Sequence, residues 1–185
     1  MSQYYLMSQL PALDGLGESA PMPITEERFY ELCERFLPSK TYLALKGLNL
    51  VPPKSTEKTG FSFVDSWNEK ERALRFALAF ARAEKWGKPK TDTDVYIPSE
   101  FAAAAKEAVE IENPLEAENF LNNFRIKVLD GLRPMDAFCL DAVFYYAVRL
   151  KLTARIRLFD GEKGQKAYKD IYNTIMDKDR QEAKQ

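Results

Sequence analysis

Histidine is absent from this chain. Its absence removes the commonest general base, the commonest metal ligand and the usual activator of a Ser or Cys nucleophile. Any catalysis would have to run through paired carboxylates or lysine. Cysteine is scarce: only Cys33 and Cys139 occur, in neither a CxxC pair nor a disulfide framework, which points to a reducing compartment. Both fall on apolar stripes with no cationic neighbour in sequence, so both are expected to be buried, inert thiols. An excess of charge of one sign is also missing. With 27 basic and 28 acidic residues the formal net charge is -1. Such a balance gives no electrostatic reason to expect a nucleic-acid or anionic-membrane partner.

Long hydrophobic runs are lacking as well. The best candidate, Ala137–Val148, falls short of the roughly 20 residues that span a bilayer and carries Asp141. No direct membrane insertion is expected. The opening Met1-Ser2-Gln3-Tyr4-Tyr5 has neither the basic nor the long apolar region of a secretory leader, so the reading is cytoplasmic. Asp14-Gly15-Leu16-Gly17 is too short for a dinucleotide loop, and Gly161 and Gly164 only stop and restart helices. Glu107, Glu110 and Glu112 lack a second ligand set and read as solvated surface. These readings predict no catalytic residue, no cofactor and no metal site, and therefore no enzyme.

What is present is 185 residues of which 45% are hydrophobic, enough for a core that folds alone. The expectation is a single helical domain over 1–180, with a loop-rich part at 1–24 and a charged flexible tail at 181–185. Tyr4–Pro11 is too short for periodicity to choose between a strand and one or two helical turns. Thr25 is a good N-cap, Glu26 and Glu27 suit the positive end of a helix dipole, and Ile24 can staple onto Phe29. Phe29, Leu32, Cys33, Phe36 and Leu37 then form one stripe, which Pro38 stops. A short helix over Ser39–Lys46 closes at Gly47, and 51–60 is a loop.

Ser66-Trp67-Asn68-Glu69 has the form of a capping box and predicts a helix start there, running to about Trp86. Leu74, Ala77, Leu78 and Ala81 make its main face, and Phe76, Phe80 and Ala83 a second. Ser99 is expected to cap an alanine-rich helix to about Glu110. Asn113-Pro114-Leu115-Glu116 combines an Asn cap with Pro at N1; the stripe behind it is Ala117, Phe120, Leu121, Phe124 and Val128. A helix over about 134–159, apolar nearly all round, is expected as the central element of the core. The last helix places Ala167, Tyr168, Ile171, Tyr172, Ile175 and Met176 on one face. The fold class is all-α, an irregular multi-helix bundle.

Asp141 is the most interesting single residue. Inside so apolar a stretch its carboxylate is costly unless paired, so a tyrosine hydroxyl or an arginine from another helix is expected as partner. A carboxylate facing a groove or a partner is the alternative. Arg149, Lys151, Arg155 and Arg157 spread around their helix and lie near its C-terminus, where cations are favoured, so they read as a solvated helix end.

Two segments carry a family likeness. One is Tyr4-Tyr5-Leu6-Met7-Ser8-Gln9-Leu10-Pro11 with Pro23 and the helix bearing Phe29, Leu32, Cys33 and Glu34. The other is Asn113-Pro114-Leu115-Glu116-Ala117-Glu118-Asn119-Phe120-Leu121 with Arg125, then Leu140-Asp141-Ala142-Val143 through Tyr146-Ala147 to Lys151-Leu152. Together these resemble an uncharacterised bacterial family of V-type ATPase gene clusters. That family is itself distantly similar to the funnel-like adaptor that joins rotor ring and central stalk in the V/A-type rotary ATPase. The resemblance implies a non-catalytic, all-helical adaptor between the membrane rotor ring and the central stalk. Its implied partners are the other components of the ATPase, which would hold it at the membrane periphery. The chain is much shorter than the funnel-like adaptor, so no binding residue is carried over. A helical scaffold unrelated to the ATPase is the alternative.

Overall fold

A computed structural model describes residues 2–15, 21–88, 95–158 and 168–175. Its elements are α1 (Ser2–Gln9), α2 (Glu26–Phe36), α3 (Ser39–Lys46), α4 (Ser62–Lys85), α5 (Ser99–Glu110), α6 (Pro114–Gly131) and α7 (Leu140–Leu158). A further helix covers 168–175, and the described residues contain no strand. The fold is an all-α bundle. No described helix is long and apolar enough to cross a membrane.

Local signals place several elements. The Thr25 side chain accepts from the Arg28 backbone N–H at 3.2 Å, and Phe29, Leu32 and Cys33 are buried behind it. Asn113 accepts from the Leu115 N–H at 3.0 Å with Pro114 at the first helical position. The ambiguous opening segment is helical, and α1 sinks Leu6 completely.

Other boundaries differ from the sequence reading. Helix α4 starts at Ser62, a turn before the Ser66 capping box, so Ser66 lies within the helix. The physical cause is tertiary. The Phe61 ring packs on Phe144 at 4.6 Å, and Asp65 accepts from both the backbone N–H and the hydroxyl of Thr59, each at 2.8 Å. Those bonds hold the Asp65 carboxyl below its ordinary pKa, against the opposing effect of desolvation. At α5 the cap position is Pro98, not Ser99, and no side chain caps the helix.

Helix α7 begins at Leu140 instead of about 134. Asp136 accepts from the Phe138 N–H at 2.9 Å, an Asx turn that competes with helix, and Pro134 just before it has no N–H to give. Once started, α7 is the central element: Ala142 through Val148 are all buried.

Two hydrophobic clusters result. The first joins α1, α2, α3, the first turns of α4 and most of α7, and includes Phe29, Leu45, Trp67, Phe144 and Leu152. The second joins the rest of α4 to α5 and α6 through Ala73, Leu74, Ala77, Leu78, Phe101 and Ala105. Helix α4 passes through both and makes its most extensive packing with α5.

Candidate functional site

Between the two clusters lies a layer of buried polar groups. Trp67, Glu71, Leu74 and Leu78 follow one stripe of α4, and Leu121, Arg125 and Leu129 follow one of α6. Glu71 and Arg125 are therefore directed inward, with side chains only 2% and 9% exposed. The Arg125 Nε donates to both Glu71 carboxylate oxygens, at 3.3 and 3.1 Å. Arg75 reaches Glu71 at 2.9 Å, and Arg125 also donates to Asn122 Oδ1 at 3.2 Å. Glu118 lies 3.7 Å from Arg125 and accepts from Arg155 at 2.7 Å. The layer is a continuous charge ladder from α4 across α6 to α7.

Every carboxylate in that ladder faces a guanidinium. This satisfies the charges and offers no free base for proton transfer. The stripe assigned to α6 from sequence accordingly shifts: Phe120, Phe124 and Val128 are half-buried, while Leu121, Asn122, Arg125 and Leu129 are the buried line. The signal for the pair is present in the sequence, one acid and one base each occupying a stripe position on its own helix.

Asp141 does not sit inside the apolar stretch. It occupies the first turn of α7, half-buried, and accepts from the Ser62 hydroxyl at 2.5 Å. The partner is the start of α4 in place of a tyrosine or an arginine, and an acid in a first turn is favoured by the helix dipole. Its role is to join two helix starts.

The cations of α7 do spread around the helix, but they do not form a solvated end. Arg149 bonds Asp130 at 2.6 Å and lies 3.3 Å from Asp14. Lys151 donates to Glu26 at 2.9 Å and lies over the Tyr30 ring. Desolvation lowers the Lys151 pKa, but the Glu26 and Tyr30 contacts prevail and leave it above its ordinary value. Arg149, Lys151 and Arg155 thus tie α7 to the segment after α1, to α2 and to α6.

Cys33 is buried, and desolvation pushes its thiol up to about 12, so it is protonated and unreactive at neutral pH. Cys139 is half-buried in the turn before α7, not on a helical stripe. Tyr145 donates to Asp130 at 3.0 Å, and burial with that neighbouring carboxylate raises its pKa to about 12. Tyr146 donates to the Pro11 carbonyl at 2.9 Å and is also raised by burial. These hydroxyls tie α7 to α6 and to the segment after α1. Among the described residues no three His, Cys, Asp or Glu side chains are grouped to hold a metal ion.

Two apolar surfaces are left uncovered instead. Tyr4 and Tyr5 stand on the side of α1 away from Leu6, and the Tyr4 ring meets Phe138 at 4.4 Å. The Asx turn at Asp136 puts Met135 fully in solvent, three residues before Phe138 in sequence. The second surface is the helix 168–175, where Tyr168, Ile171, Tyr172 and Ile175 recur at helical spacing and all are exposed. Tyr168 and Tyr172 stack at 6.3 Å. Ala167 and Met176, expected on the same face, and the tail 181–185 lie outside the described residues. Such surfaces can bury aromatic area against another macromolecule.

No family model, curated protein or solved structure matches the chain.

Proposed function

We propose that this protein is a non-catalytic adaptor of a V/A-type rotary ATPase, acting by docking to other components of that assembly. The likeness of Tyr4–Pro11, Asn113–Leu121 and Leu140–Leu152 to the family of V-type ATPase gene clusters names the assembly. The observation that carries docking is exposed apolar surface in two places: Tyr4, Tyr5 and Phe138 with Met135 close by in sequence, and the helix 168–175.

The residues bearing the resemblance support a torque-bearing body. Leu6 is sealed in the core, Arg125 is in the charge ladder, and Ala142–Val148 form the centre of α7. A rotor adaptor must resist deformation while carrying no chemistry of its own. A ladder of cross-helix ion pairs through a packed bundle has that property: shearing one helix past another would strand buried charges. Membrane association would then come through protein contacts.

The test is a tagged pull-down from detergent-solubilised native membranes, read by mass spectrometry at native expression level. Rotary ATPase components should be enriched well above an untagged control. Their absence, with the tagged protein folded, would favour a helical scaffold outside the ATPase.

A further inference from the structure

The two uncovered apolar surfaces stand at opposite ends of α7. Before its start, the rings of Tyr5 and Tyr4 meet edge to face at 6.0 Å and Tyr4 meets Phe138 at 4.4 Å, a row of three exposed aromatics. Phe138 stands two residues before Leu140, the first residue of α7. Beyond the other end, at Leu158, comes the helix 168–175, whose eight residues are all exposed. An isolated helix of that length is marginal in water, since most helical stability comes from packing an apolar face. Tyr168, Ile171, Tyr172 and Ile175 make such a face, each more than half exposed, so this helix requires a cover.

Size discriminates among the covers. At these exposures each large side chain offers on the order of 100 Å², so either surface amounts to roughly 400 Å² with Met135 counted beside the row. Pairing helix with helix across two copies would bury about 800 Å² in total, no more than a casual contact. Placing the helix of each copy on the aromatic row of the other uses all four surfaces and buries about 1,600 Å², the size of a specific interface. Reach disfavours the same packing within one copy. Nine residues, 159–167, separate Leu158 from Tyr168 and extend at most about 30 Å, while α7 is about 28 Å long. Inside one copy they would have to retrace all of α7 at full stretch. Between copies whose α7 helices run antiparallel, the end of one lies beside the start of the other, and nine residues are ample. Charge is permissive: α1 carries none, and Lys169 balances Asp170 on the helix, so neither surface repels a copy.

We propose that the unassembled protein is a two-fold dimer in which the helix 168–175 of each copy packs on the Tyr4, Tyr5 and Phe138 row of the other. The anchors at i, i+3, i+4 and i+7 are those an amphipathic helix uses to dock on an apolar surface. The pairing shields both surfaces from water until an ATPase component replaces the second copy, and only that replacement rests on the adaptor reading.

The full chain, purified alone, is followed by sedimentation equilibrium over a wide range of concentration. A monomer–dimer equilibrium is expected, and Phe138→Glu and Tyr172→Glu should each weaken it at least tenfold. Both side chains are exposed, so the circular dichroism of each variant should match that of the unaltered chain. Mixing the two variants should restore part of the association, because one keeps an intact helix and the other an intact row. A second measurement avoids those substitutions: a photoreactive phenylalanine analogue at Tyr5 is activated in a mixture of isotopically light and heavy chains. Mixed-isotope adducts to 168–175 are expected. A chain monomeric at every concentration, sensitivity to only one of the two substitutions, or adducts confined to single copies would overturn the pairing. Those outcomes leave the recovery of ATPase components from membranes untouched, so the two readings fail separately.

Discussion

The first cluster is made of large side chains and the second of small ones, and the two respond to different insults. Around α7 the buried volume comes from Phe29, Trp67, Phe144 and leucines. Between α4 and α5 it comes from Ala73, Ala77, Ala81, Ala105 and Ala108, with Leu74, Leu78 and Phe101 among them. Large residues hold helices apart and fill the gap, so removing one opens a cavity. Alanines let backbones approach closely, so there is little to remove and no room to add. The charge ladder of Glu71 and Arg125 lies where these two kinds of packing meet, and α4 has to satisfy both.

The largest expected effect breaks the first region. Phe144→Ala, at a fully buried ring, should cost about 3–5 kcal/mol in a urea titration. A loss under about 1 kcal/mol would mean that the aromatic core closes over the gap. Next comes the boundary. Arg125→Met should cost about 3 kcal/mol, the lower end for a broken buried pair, because Glu71 keeps Arg75 at 2.9 Å. The double variant Glu71→Leu/Arg125→Met should recover most of that loss. A double variant as weak as the sum of the singles would show no coupling between Glu71 and Arg125 and would contradict the ladder.

Enlargement is the test for the second region. Ala105 is fully buried, and Ala105→Leu should cost about 1–3 kcal/mol by overpacking α5 against α4. The same variant leaving the urea midpoint unchanged would place a void where the comparison requires contact. The smallest effect is alkaline and belongs to the first region alone. Cys33, Tyr145 and Tyr146 all have pKa values raised by burial, so the folded state holds their protons more tightly than the unfolded chain. Their contribution is complete below the unfolded values near 9–10 and is lost as pH rises toward 12. The urea midpoint should fall steadily above about pH 9, and Tyr146→Phe should flatten that fall.

Much of the fold can be read in the sequence wherever a backbone signal is local. Thr25 and Asn113 cap the helices they precede, and Gly47 closes α3. The failures occur where a distant partner decides. Ser66 and Glu69 form a good capping box in isolation, but contact of Phe61 with Phe144 extends α4 a turn upstream. Apolar periodicity carries no sign of the Asx turn that delays α7 to Leu140. Of the site residues, Asp141 stands out in the sequence as an acid in an apolar stretch, but its partner Ser62 is 79 residues away. Glu71, Asn122 and Arg125 escape any reading that places only apolar residues on the stripes. An inward amide or ion pair looks like surface until the facing helix is known. The exposed aromatic patch joins Tyr4 to Phe138 across most of the chain, and no spacing rule reaches that far.

Docking through that patch is tested most directly by site-specific photo-crosslinking in the native host. A photoreactive phenylalanine analogue is placed at Met135, at Tyr172 and, as a control in the exposed bend between α5 and α6, at Glu112. All three positions are exposed and none has a core role. Covalent adducts to rotary ATPase components should form from Met135 or Tyr172 and not from Glu112. Adducts equal at all three positions, or none to any component of the ATPase, would contradict the account.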